Sequence, residues 1–202
     1  MKPGFYLELI KTVFQAVDAE GKLRHRVVAF TSATPGEGVS YVVDLVAREL
    51  ALQTQKRVLR IDAGVFHELD LADARLVARQ CEETEIENLM TLSVRSAVSV
   101  AGAGSGGGDW NSRSDYRADC LKALRWNFDY ILIDCPSPAI SSDAITLAPL
   151  VDGVSIVVKA AQTRRGQIQH VQQQIKTAGG DFLGFVLNQR RYPMPGWLYR
   201  RL

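Results

Sequence analysis

Val28-Ala29-Phe30-Thr31-Ser32-Ala33-Thr34-Pro35-Gly36-Glu37-Gly38-Val39-Ser40 reads as an apolar strand, a tight Gly-rich turn and the start of a helix. The phosphate-binding-loop pattern is G-x-x-x-x-G-K-[ST], and Ala33, Gly38 and Ser40 take its first, sixth and eighth places. The seventh place, where a lysine reaches the β- and γ-phosphates, holds Val39. The frame of a phosphate-binding loop is present without its cation. Main-chain N–H groups from Gly36 to Ser40 still point into a phosphate-sized hollow, aided by the positive end of the following helix. Ser40 keeps the hydroxyl that the pattern offers to Mg²⁺.

Outward from this loop, short apolar runs alternate with helical stretches. Residues 27–32, 57–62, 129–134, 153–159 and 182–187 are rich in Val, Ile and Leu, as strands buried on both faces of a parallel sheet are. A weaker strand is expected at 88–94. Helices are expected at about 5–18, 41–54, 69–80, 114–126, 142–149 and 164–178. This order predicts an α/β fold: a single doubly wound, mainly parallel sheet with helices on both faces, the P-loop NTPase fold. Residues 1–202 are read as one domain, with an N-terminal helix within 1–20 and a basic, aromatic tail at 188–202. The Gly-rich stretch 101–108 reads as a surface loop.

The composition fits a globular domain: 202 residues, 47% hydrophobic and 23% charged. A net charge of +2 and no basic stripe speak against nucleic acid as a partner. No run of 18 apolar residues is free of charge, and the N-terminus lacks the apolar core of a signal peptide. Cys81, Cys120 and Cys135 show neither metal spacing nor a disulfide framework, and His25, His67 and His170 are isolated. The chain is therefore expected to be cytoplasmic with reduced thiols.

Two further strand ends carry acids, in Ile61-Asp62-Ala63-Gly64 and Ile133-Asp134-Cys135-Pro136. A carboxylate ending a buried strand is costly unless it meets a cation, donors or water. Beside a phosphate loop, Asp62 and Asp134 suit Mg²⁺ or water positioning, and capping of the turn after each strand is the competing reading.

Together the phrases SATPGEGVS, VLRIDAG, YILIDCPSP, VDGVSIVV and GFVLNQRR resemble the bacterial tyrosine kinases of exopolysaccharide and capsule synthesis, within the MinD- and ParA-like ATPases. The likeness spans roughly residues 5 to 190. It implies that Ala33 to Ser40 is the Walker A loop and that Asp134 is the Walker B acid. It further implies that Asp62 is the first acid of D-x-D-x-R and that Asn188 contacts the nucleotide base. Gly36, Glu37, Gly38, Val39, Ser40 and Tyr41 then form the nucleotide-binding stretch, with Ser40 and Asp134 as Mg²⁺ ligands.

The departures are as specific as the matches. Val39 replaces the lysine, Gly64 the second acid and Phe66 the arginine of the acidic motif, while bulky Tyr41 stands where relatives carry a small hydroxyl residue. The family's C-terminal tyrosine cluster is reduced to Tyr192 and Tyr199. Glu8, Lys11 and Phe14 match the family's E-x-x-R-x-x-R assembly motif only in its first place, so packing of this helix on its own domain is the competing reading. Lys159, Arg164 and Arg165 lie at the right edge of the sheet to lend a cation but suit surface or helix-start roles, and Lys56 and Arg57 fall at the opposite end. The tail 190–202 mixes four arginines with three aromatics, which suits an anionic membrane surface or a partner groove.

Losing one preorganised donor costs roughly 10²–10³ in rate, and losing a charge-assisted phosphate contact costs about 1.5–3 kcal/mol. The expectation is a pseudokinase-like cytoplasmic component of exopolysaccharide or capsule biosynthesis, with a place at the inner face of the plasma membrane left open, as is a tail that packs on its own domain. It would regulate a membrane chain-length or export protein, with ATP/Mg binding weakened and turnover weak or absent; a homo-oligomer is left open. The alternative is an active or residually active Mg·ATP-dependent protein tyrosine kinase or ATPase of the same pathway, and a weaker one is a MinD- or ParA-like positioning ATPase.

Overall fold

The computed structural model describes residues 10–14, 26–68, 81–93 and 110–189. The expected helix at 69–80, the Gly-rich stretch and the tail lie outside the described residues, as does most of the expected N-terminal helix.

Strand β1 (Val27–Ser32) leads into helix α1 (Val39–Thr54), which returns to β2 (Val58–Asp62). A short helix α2 (Val65–Glu68) follows, then β3 (Glu82–Glu83), β4 (Leu89–Leu92) and helix α3 (Trp110–Asn127). The chain continues through β5 (Tyr130–Asp134), helix α4 (Asp143–Leu147), β6 (Gly153–Lys159), helix α5 (Arg165–Thr177) and β7 (Phe182–Asn188). The strands join one sheet in the order β3-β4-β2-β5-β1-β6-β7. Every pairing is parallel except β3 with β4.

Period-two alternation sends the strand residues to two cores. Val28, Phe30, Val58 and Leu132 pack beneath the Val42, Val43, Val46 and Leu50 face of α1. Ala29, Ile61, Ile131 and Ile133 pack on the other face with Leu121 and Leu124 of α3 and with Val171 and Ile175 of α5. Both sheet faces are thus covered, which is why the strands read as continuous apolar runs. The described turn Ile10–Phe14 joins the α1 side, where Phe14 is fully buried and meets Tyr130 edge to face at 5.7 Å. The residue in the third place of the assembly motif is therefore a core residue.

Local chemistry sets the element ends. Gln55 closes α1 in a left-handed conformation, its N–H donating to the Ala51 carbonyl. The stretch expected as one helix at 142–149 divides, because Pro149 cannot continue the α-helix and a 3-10 turn, Ala148–Leu150, takes over. At the lower edge, the Asp152 carboxylate accepts the Arg26 and Val27 N–H groups, both at 2.7 Å, and pairs with Arg125 at 2.7 Å.

Candidate functional site

The carboxyl ends of β1, β5 and β2 come together where open α/β sheets bind ligands. Backbone bonds fix them there: Ala63 N–H donates to the Asp134 carbonyl and Cys135 N–H to that of Phe30, each at 2.9 Å. In front of these ends lies a groove of about 530 Å³, within the size range of small-molecule sites. Pro35 to Tyr41, Asp62, Asp134, Ser137 and Ile140 contribute to its lining.

The loop is held from behind. Gly36 and Gly38 adopt φ of +82° and +86°, which side chains resist. A Cβ added at Gly38 would lie 2.4 Å from Asn188 Nδ2, so glycine is also required there by space. Asn188 is buried and donates that amide to the Glu37 carbonyl at 2.8 Å. The Glu37 side chain turns inward, 2% exposed, and accepts the Ala33 and Thr34 N–H groups at 2.8 and 3.0 Å. Its other oxygen accepts the Thr163 hydroxyl and, at 3.4 Å, the Lys159 N–H. Glu37 and Asn188 thus clamp the loop backbone to the ends of β6 and β7. Sequence reasoning missed the Glu37 clamp and Thr163; a glutamate between two glycines of an otherwise apolar strand-loop unit was the available signal.

Val39 lines the groove but is 9% exposed, its side chain lying in the apolar cluster under α1. Tyr41 stands exposed at the rim. Among the described residues lining the groove there is no lysine or arginine. Lys159, Arg164 and Arg165 are not among them. Arg57 lies at the opposite end of the sheet, its guanidinium 5.1 Å from the Phe128 ring centre.

A cation beside the acids, Arg60, is one the sequence reading passed over. Arg60, inside β2, extends toward β5 and donates from Nη2 to Asp134 Oδ2 at 3.1 Å. The register places Asp62 beside Asp134 and Arg60 beside Leu132, so a long side chain leaning along the strand reaches the acid two residues on. Burial pushes the Asp134 carboxyl above its ordinary range, opposed by the Ser40 hydroxyl that donates to it and by Arg60, and reinforced by the Asp62 charge. Asp62 accepts the Gly64 N–H at 2.8 Å, the turn-capping role. Mg²⁺ at a loop of this kind needs the Ser40 hydroxyl and the Asp134 carboxylate, and the carboxylate is engaged by Arg60. The donor set does not fit the metal as it stands.

His67 Nε2 meets the buried Asp143 carboxylate at 2.5 Å, which also accepts the Ser141 hydroxyl at 2.7 Å. Cys81, Cys120 and Cys135 form no disulfide. Burial pushes Cys81 up to about 12, Cys120 to about 11 and Cys135 well above the ordinary thiol value. None is a reactive thiolate near neutrality.

No family model matches the chain. It is 28% identical over 179 residues to the tyrosine-protein kinase CpsD of Streptococcus pneumoniae, covering 81% of this chain and 76% of that protein. Its relatives are bacterial tyrosine kinases. It is also 27% identical to the succinoglycan biosynthesis transport protein ExoP of Rhizobium meliloti, matching 81% of this chain but 22% of ExoP. Among solved structures, the BceF tyrosine kinase domain superposes with a TM-score of 0.61 at 26% identity, covering 80% of this chain and 68% of that one. The septum site-determining protein MinD of Pyrococcus horikoshii, complexed with Mg-ADP, shares the fold: TM-score 0.55, 20% identity, 87% of this chain and 76% of that one. The chain thus has the P-loop fold of these kinases and ATPases.

Proposed function

We propose that this chain is a pseudokinase-like component of exopolysaccharide or capsule biosynthesis, with weak or no ATP turnover. Its role is to regulate a membrane chain-length or export protein from the cytoplasmic face of the membrane. The observation that carries the reading is Val39, an apolar residue built into the core at the place of the phosphate-binding lysine. A polyphosphate in this groove would face the carboxylates of Asp62 and Asp134, with main-chain N–H groups and, among the described lining residues, no cation to attract it. The match to a segment of a biosynthesis transport protein supports the pathway. The kinase names of the relatives, with the intact Gly36-Glu37-Gly38 turn, favour the second reading, a residually active Mg·ATP-dependent tyrosine kinase.

Calorimetric titration of Mg·ATP and Mg·ADP separates the two. The native chain is expected to bind weakly or not at all. Val39 lines the groove, so a lysine there can extend its ammonium into it. Val39→Lys should therefore tighten binding by roughly ten- to a hundredfold. Micromolar binding with turnover by the native chain would overturn the pseudokinase reading.

A further inference from the structure

An arginine in the middle of a buried strand needs an explanation. Arg60 is flanked by the fully buried Leu59 and Ile61; its side chain is 26% exposed, but its Nε is buried with no hydrogen-bond partner. Placing a guanidinium there is unfavourable unless a strong partner compensates. The partner is Asp134, at 3.1 Å. That carboxylate also takes the Ser40 hydroxyl, and the other acid of the cluster, Asp62, is engaged by the Gly64 N–H at 2.8 Å.

We infer that the Arg60 guanidinium takes the place of a divalent cation at Asp134, closing this groove to Mg²⁺ and Mn²⁺. Two physical facts carry this. A metal at Asp134 would sit within a few ångströms of a fixed positive charge, and like charges repel strongly where water is scarce. The metal would also have to displace a charge-assisted hydrogen bond and leave Arg60 without its partner. Arg60 is not a contact to any ligand; it acts through Asp134. The inference concerns the metal alone and stands whether or not the loop holds a nucleotide.

The test is paramagnetic broadening of amide resonances by Mn²⁺, without nucleotide, in the full chain and three variants. In the native chain the Gly38, Ser40 and Asp134 signals should persist at Mn²⁺ concentrations that erase them in Arg60→Leu, a difference of roughly tenfold or more in metal required. Arg60→Lys, which keeps the charge, should behave as native. Adding Asp134→Asn to Arg60→Leu should abolish the gain, showing that it runs through the carboxylate. Should the leucine variant not fold, Arg60→Gln, which retains a polar head, carries the same arm. Broadening of the native loop as readily as that of the Arg60→Leu loop would overturn the inference, as would a folded Arg60→Leu that gains nothing. A native loop that binds ATP tightly without metal would contradict the proposed function and leave this inference standing.

Discussion

Valine 39 changes what the loop can attract without changing its shape, because the turn is held by residues whose job is mechanical. Gly38 has no room for a side chain against Asn188, and Glu37 ties the loop to β6 through its carboxylate. Gly38→Ala should therefore destabilise the fold by about 1–3 kcal/mol, from positive-φ strain and the clash together. The equivalent change at Gly36, where a Cβ meets nothing within 4 Å, should cost about 1 kcal/mol. Urea denaturation of the two variants checks the difference; equal effects would mean that Asn188 does not confine the loop. At this scale the sequence was informative about identity and silent about pairing. Asp62 and Asp134 were legible as strand-end acids beside the loop. The Arg60–Asp134 bond was not, because it depends on the register of β2 against β5.

At the scale of elements, the lower edge of the sheet makes its own prediction. Burial raises the Asp152 carboxyl, but the Arg125 guanidinium and the Val27 and Arg26 N–H groups outweigh it and hold the pKa below the ordinary 3.8. A depressed folded-state pKa gives stability that is present above the unfolded value and is lost as pH falls through the folded one. Asp152→Ala should lower stability by about 1–3 kcal/mol at neutral pH, and less as pH falls below about 4, where the unfolded chain takes up a proton that the folded carboxylate resists until lower pH. Thermal melts of the two proteins between neutral and acid pH test this; a gap that stays constant below pH 4 would contradict it. Element legibility follows burial. The strands β1 and β6 lie between covered faces, and their apolar runs gave their bounds directly. Strand β3 is two exposed glutamates at an edge and carries no apolar signal. Helix α3 begins at Trp110, ahead of the expected 114, within a polar stretch without periodicity.

Across the whole molecule, the sheet order brings the ends of β1, β5 and β2 to one groove, where open α/β sheets bind ligands. The alternation of strands and helices was enough to read that architecture. It could not show that no described lining residue is a cation, since that depends on where Lys159, Arg164 and Arg165 stand in space. The most direct measurement is steady-state ATP hydrolysis and phosphotyrosine formation with Mg²⁺, run beside the BceF tyrosine kinase domain. The account predicts turnover at least roughly 10²–10³ below that domain, since lysine-type charge stabilisation is missing. A rate comparable to that domain's would contradict it.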